Sequence, residues 1–398
     1  MMELLVKGAR IVDWSLDFIG DIYIKDEKIQ EIGAEINRPV ETIDAKGKVV
    51  MPSFIDLHCH FRDPGFTYKE DIVSGSRAAV RGGYTAVNLM ANTKPVCSSL
   101  ETVNYVLEKG AETDLVHIHQ CMSITRDLEG VDLSHLEELK QHNDKVKFLS
   151  DDGKGVADSK VMMEAMLKAA KLNLTVISHA ESPEFSNVDM RLAENTMTWR
   201  DICLSKYTNC RLHLAHVSTK EAIEYVIDAK SKGYEISCEV TPHHIALTDQ
   251  IKYRVNPPLR KEDDVEALIN AIKKGYVDCI ATDHAPHSKE DKEKGAPGIS
   301  GIETAFPVCY SSLVENNHIS LNMLSELMSK KPAEIMGLKK GKIQIGYDGD
   351  LVIVDIDNSY YIDVNDFESK GKNSPFQGYK VKGKVLYTIK GGRVVYKD

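Results

Sequence analysis

The sequence predicts an α/β protein: a (β/α)8 TIM barrel carrying a small composite β-sandwich domain built from both termini. Three observations carry this expectation. Eight short apolar runs, at 53–58, 84–89, 115–121, 145–150, 174–179, 211–216, 235–239 and 277–282, alternate with helix-patterned stretches. Spread over roughly 280 residues, that count suits a closed barrel of eight parallel strands. Both ends of the chain instead show short alternating strands. Finally, residues able to bind a metal recur at the ends of several of the apolar runs, the place where a barrel gathers its functional side chains.

From the N-terminus, LLVKGARIVD, DIYIKDEKIQEIG and KGKVVMP read as strands separated by Gly and charged turns, with no helix-length pattern. The same style returns in GKIQIGYDGDLVIVDID, GKVLYTIKGG and RVVYKD near the C-terminus. Residues 1–50 and 341–398 are therefore assigned to one small β domain, and 51–340 to the barrel. Amphipathic runs such as KVMMEAMLKAAK (160–171) and the stretch 219–231 supply its outer layer. Internal repeats and low-complexity tracts are lacking.

Composition narrows the class of function. A chain of 398 residues, 42% of them hydrophobic, buries a large core and exceeds one minimal domain. Its net charge of −10, with both signs interspersed and no basic block, argues against nucleic acid or an acidic membrane as partner. The start, MMELLVKGARIVDW, lacks a basic segment followed by a long apolar one, and no apolar run approaches the length of a membrane span. A cytoplasmic protein is expected. Cys59, Cys97, Cys121, Cys203, Cys210, Cys238, Cys279 and Cys309 lie scattered without a C-x-x-C pair, as buried thiols of a reducing compartment do.

The first barrel strand runs into IDLHCHFRDPG, placing His58 and His60 two residues apart. In extended chain, residues i and i+2 share a face, so both imidazoles can reach one cation. Alone, such a pair is as readily an ordinary pair of histidines. It has company, however: Asp152 follows the fourth strand, His179 ends the fifth, His216 ends the sixth and Asp283 follows the eighth. Four His and two Asp suit zinc or a similar borderline metal, as one or two ions with room for water.

The segments HCHFRDPG, FLSDDG, ISHAE, LAHVSTKEA, EVTPHH, NPPLR, ATDHAPH and GISGIETAFP, in that order, resemble the motifs of the dihydroorotases of the amidohydrolase superfamily, bacterial class I type. The resemblance covers nearly the whole chain. It implies a zinc-dependent cyclic amidohydrolase of pyrimidine biosynthesis that interconverts N-carbamoyl-L-aspartate and L-dihydroorotate. In the hydrolytic direction a metal-activated hydroxide attacks the ring amide. Asp283, near the metals, is the candidate to take its proton and deliver it to the leaving nitrogen; the alternative reading makes it merely a ligand or a helix cap.

Substrate selection calls for donors to a carboxylate. Arg62 lies two residues beyond His60, within reach of a bidentate contact beside the metal. The resemblance adds Asn92, Asn256 and His287 as contacts to the carboxylate and ring amides; on sequence alone Asn92 and Asn256 read as turn residues. His243 and His244 fall outside the ligand set. Many relatives bridge their metals with a carboxylated lysine on the fourth strand, and Lys147 stands there; the DDG motif favours Asp152 instead. Two departures lie near the substrate mouth: a short segment between His179 and His216, and Ala91 where proline is expected. In the loop 288–300, GAPGISG is expected to cover the ring, its small residues at Gly298 and Gly301 allowing close approach.

Two other classes share parts of this pattern. A hydantoinase or allantoinase would keep the metal histidines without needing the Arg62 and Asn256 contacts. A non-catalytic relative acting as a partner of another pyrimidine enzyme would be expected to lose ligands, and all six are present. The resemblance further implies a homodimer and leaves open association with another enzyme of the pathway.

Overall fold

Eight short strands, all parallel, follow one another through the middle of the chain in the computed structural model, which describes residues 2–142 and 144–398. They are β1 (Phe54–Cys59), β2 (Tyr84–Leu89), β3 (His117–Gln120), β4 (Phe148–Leu149), β5 (Thr175–Ser178), β6 (Arg211–Leu214), β7 (Ile236–Val240) and β8 (Cys279–Ile280). Pairing runs β1–β2–β3 and β4–β5–β6–β7–β8. Single bridges, Met122 to Leu149 and Cys59 to His284, join the two sets into a closed ring. The expected barrel is therefore present.

β4 and β8 are shorter than the runs 145–150 and 277–282 suggested. Buried carboxylates take the backbone donors that further ladder bonds would use. Asp151 Oδ1 accepts from Ile124 N at 2.7 Å, and Asp56 Oδ1 accepts from Thr282 N at 3.0 Å. Beyond those points the chain is free to turn and present Asp152 and Asp283.

Outer helices follow from pattern and caps. Ser159–Lys171 starts at Asp158, whose side chain accepts from Lys160 N and Val161 N, and buries Met162, Ala165, Met166 and Ala169 on one face. Lys220–Ser231 is capped by Thr219 and buries Ala222, Ile223, Val226 and Ala229. After β3 the layer is a 3-10 segment, Ser134–Gln141, which covers the barrel with Leu136 and Leu139. None of the described helices is long and apolar enough to cross a membrane.

Both ends of the chain share an eight-stranded sheet outside the barrel. Leu351–Asp355 pairs antiparallel with Val49–Pro52, which itself lies parallel to Glu3–Val12. Residues from both ends, among them Leu4, Ile11, Ile22, Ile24, Val50, Leu351, Ile353 and Ile389, form its core. Only Ser53 separates Val49–Pro52 from β1, so the sheet runs directly into the barrel. Part of the C-terminal segment leaves this sheet: Tyr360–Tyr361 pairs with Lys380–Val381, and the chain between them reaches back to the barrel.

Candidate metal centre

The side chains singled out at the strand ends converge. Extended backbone through β1 sets the rings of His58 and His60 on one face, with centroids 5.4 Å apart. Asp152, His179, His216 and Asp283 arrive from the ends of β4, β5, β6 and β8, and all six side chains are buried. Arg62, His216 and Asp283 adopt left-handed backbone, with φ of 59°, 34° and 45°. For such residues this costs on the order of 1 kcal/mol or more each, and it aims their side chains inward.

Asp152 sits at the centre. Its Oδ1 lies 3.3 Å from His58 Nε2, 3.3 Å from His179 Nδ1 and 3.7 Å from His216 Nε2, while Oδ2 lies 3.5 Å from His60 Nε2. Asp283 Oδ1 stands 3.2 Å from His60 Nε2 and 3.6 Å from His58 Nε2. Two overlapping trios of donors result, His58–Asp152–His216 and His58–His60–Asp283, each with its donor atoms within 4.8 Å of one another.

The hydrogen bonds behind the cluster decide which nitrogens face it. His58 Nδ1 donates to Glu239 Oε1 at 2.6 Å, and His60 Nδ1 donates to Asn92 Oδ1 at 2.9 Å. Both Nε2 atoms therefore turn lone pairs toward carboxylates. Among the described residues, His58 Nε2 and Asp152 Oδ1 are buried without a hydrogen-bond partner. Such converging lone pairs repel unless a proton or a metal cation lies between them, and the mixed imidazole and carboxylate donors fit a divalent metal.

Electrostatics point the same way. Burial works against a charge on His58, yet the Asp152 and Glu239 carboxylates outweigh it and hold the imidazole well above its ordinary pKa. His179 is likewise pushed up to about 9, burial being overcome by Asp152 and Glu181. Asp283 is held below the usual carboxylate range despite its burial, by His60 first and then His58 and His216. Carboxylates that draw protons onto these imidazoles draw a metal cation equally. Lys147 is turned away from the cluster, its Nζ donating to Met336 O at 2.6 Å.

An open pocket lies directly over the cluster. Arg62, Asn92, Asn256, His287 and Gly298 line it together with most of the ligand set. Arg62 donates only to Pro286 O (3.4 Å) and His287 Nε2 (3.3 Å), and among the described residues it has no carboxylate partner. Asn92 and Asn256 have their amides engaged: Asn92 Nδ2 reaches Asp152 Oδ2 at 3.3 Å, and Asn256 Nδ2 donates to Glu181 Oε2 at 2.8 Å. His287 is pushed down to about 3 by burial, Arg62 and Lys69, and so stays neutral. Gly298 has φ +134° and borders Ala285 and His287, whereas Gly301 donates its N–H to His284 Nδ1 behind the pocket wall.

Sequence reasoning passed over Glu239, His213 and Glu181. Glu239 lies inside the barrel beneath His58, and its other oxygen accepts from His213 Nε2 at 3.0 Å. Burial opposes its ionisation, but His58 and His213 take it down to about 2. The signal was a charged residue on the apolar strand ISCEV. Glu181 accepts from His179 Nε2 at 3.0 Å, leaving Nδ1 to face Asp152. His243 and His244 are buried beside the site; His244 bonds Thr241 and Pro257, outside the cluster.

Comparison with known proteins bears on this geometry. The amidohydrolase family model matches residues 49–395. The chain is 56% identical to a dihydroorotase of Clostridium botulinum (strain Eklund 17B / Type B), covering 100% of both, and 38% identical to a dihydroorotase of Acetivibrio thermocellus, covering 99% of both. Among solved structures, an L-hydantoinase (dihydropyrimidinase) from Arthrobacter aurescens superposes with a TM-score of 0.93 at 27% identity, covering 100% of this chain and 96% of that one.

Proposed function

Since this chain belongs to the amidohydrolase family, we propose that it acts as a dihydroorotase, closing N-carbamoyl-L-aspartate to L-dihydroorotate and water and running the reverse hydrolysis. The observation that carries the substrate class is Arg62. A guanidinium with no carboxylate partner among the described residues, facing a pocket floored by buried imidazoles and carboxylates, is a ready receptor for a substrate carboxylate. Hydantoin and allantoin rings need no such receptor.

His58, His60, Asp152, His179, His216 and Asp283 would hold one or two zinc ions, the mixed imidazole and carboxylate set being suited to that metal. Bound there, zinc supplies Lewis acidity, polarising the carbonyl under attack and making water more acidic. Arg62 anchors the substrate carboxylate, and His287, neutral beside it, offers a further polar contact. Asn92 and Asn256 bound the ring while steadying Asp152 and Glu181.

Asp283 moves the proton. In hydrolysis it takes a proton from the attacking water at Oδ1 or Oδ2 and gives it to the ring nitrogen as the C–N bond breaks. Ring closure runs the same transfer backwards: Asp283 takes the proton of the carbamoyl nitrogen as the C–N bond forms and hands it to the hydroxyl leaving the carboxyl carbon, which departs as water. Its histidine neighbours hold the carboxylate ionised, the form that can receive a proton.

The test is a spectrophotometric assay of dihydroorotate hydrolysis run beside hydantoin and allantoin. The expected result is turnover of dihydroorotate far above both. A chain that hydrolyses hydantoin and leaves dihydroorotate untouched belongs with its structural neighbours in activity as well as fold.

A further inference from the structure

A side chain from the far end of the sequence holds the pocket wall. Asn373 belongs to the C-terminal segment that leaves the small sheet, and it is 8% exposed. Its Oδ1 accepts from His287 N at 2.9 Å and from the Ser300 hydroxyl at 2.8 Å. Its Nδ2 donates to Ala285 O at 3.3 Å and Gly298 O at 3.0 Å. A carboxamide has two donors and two acceptor lone pairs, and all are used here. The Asn373 carbonyl also accepts from Ser300 N at 2.7 Å.

Ala285, His287 and Gly298 all border the pocket, and they lie on two stretches, 284–287 and 298–300, that share little regular pairing. One bridge, His284 to Ile299, with Ala285 N donating to Ile299 O at 2.8 Å, connects them directly. Gly301 N–H, donating to His284 Nδ1 at 3.2 Å, ties them at the far end, and Asn373 ties together the backbone that faces the pocket. Its own position is fixed in turn: a Cβ on Gly371 would fall 2.6 Å from Pro286 Cβ and 2.7 Å from Ser300 Oγ, so the segment lies flat on the loop. Upstream, buried Glu70 accepts from the Ser369 hydroxyl and from Lys370 N.

We propose that Asn373 is a positioning residue for substrate selection, holding His287 and Gly298 at the spacing that fits the cyclic substrate. The proposal rests on the pocket being the substrate site. Arg62 gains as well, because its Nε leans on Pro286 O in the stretch that Asn373 anchors. The residue touches no metal ligand, so its effect falls on binding and leaves the metal set alone.

The test compares Asn373→Ala and Asn373→Asp with the parent as metal-loaded enzymes. Asn373→Asp keeps the acceptors but turns a carboxylate oxygen toward two carbonyls. Displacing a pocket wall by a fraction of an ångström is expected to raise KM for dihydroorotate about tenfold or more, with kcat within about threefold. Metal content is expected to match the parent, and amide hydrogen exchange over 285–300 to quicken. If Asn373→Ala does not fold, Asn373→Asp carries the same comparison. An unchanged KM in a folded variant overturns the proposal, as does a loss of kcat accompanied by loss of metal. Should the parent hydrolyse hydantoin and not dihydroorotate, the assigned substrate fails, and the KM shift is read with hydantoin. His287→Ala with a parental KM would remove His287 as a substrate contact and leave the Asn373 measurement standing.

Discussion

Glu239 Oε1 lies 2.6 Å from His58 Nδ1, and neither side chain is exposed to solvent. This bond fixes the tautomer in which His58 Nε2 faces Asp152. A charged acceptor also makes the imidazole a better donor to a metal than a neutral one would. The chain continues downward: Glu239 Oε2 accepts from His213 Nε2, and His213 Nδ1 lies 2.8 Å from Ser237 Oγ. The centre thus stands on a polar column inside the barrel.

Replacing Glu239 by Gln keeps the volume and removes the charge. Zinc affinity, measured by competition with a chromophoric chelator, is expected to fall about ten- to hundredfold. Parental affinity in a folded Glu239→Gln protein would reduce the column to packing.

Asp283→Asn is expected to leave the fold and the His58–Asp152–His216 trio able to take up metal. Turnover should drop by at least about a hundredfold, and by a similar factor in both directions, because one group serves the forward and reverse proton transfers. Rates of ring opening and closure measured on the same preparation check this. Normal turnover would assign the proton transfer to another group.

The barrel was legible because eight apolar runs at regular spacing are its direct signature, and the ends of those runs named the converging side chains. What escaped the sequence were partners that act through them. Glu239 sits inside a strand whose apolar neighbours advertise core, and only the closed barrel brings it beneath His58. Asn373 lies 86 positions from His287, in a segment that reads as part of the small sheet. No local pattern reports a contact made by a chain returning over the barrel. Asn92 read as a turn residue, and it does sit in a loop; its bond to His60 depends on how β1 and β2 pair.

Arg62→Lys and Arg62→Met separate charge from fork geometry. A lost charge-assisted bond is worth roughly 1.5–3 kcal/mol, so KM for dihydroorotate is expected to rise about ten- to hundredfold. Arg62→Lys should recover part of that rise. Activity toward a cyclic amide without a carboxylate should change little, and an equal loss on both substrates would count against carboxylate recognition.

Dialysis against a strong chelator is expected to abolish hydrolysis, and added zinc to restore it. The thermal midpoint should fall on chelation, because a ligand that binds only the folded chain stabilises it by mass action. A metal-free preparation of full activity would end the metal reading.

Acid sensitivity is expected from His244. Its Nε2 donates to Pro257 O at 3.0 Å and its Nδ1 lies 2.8 Å from Thr241 Oγ1, an arrangement that uses the neutral ring. Burial, the largest influence, pushes its pKa down to about 4. The unfolded chain binds this proton near pH 6.5 and the folded chain only near 4, so stability is full above 6.5 and declines as pH falls between those values. From pH 6.5 to 5 the loss from this group is on the order of 2 kcal/mol. His244→Gln should therefore be less stable than the parent at pH 7.5 but show a smaller drop in thermal midpoint on moving to pH 5. The comparison is made on chelator-treated protein, so that metal release does not add to the slope. Equal drops in the two proteins would mean that His244 is not the group whose protonation destabilises the fold.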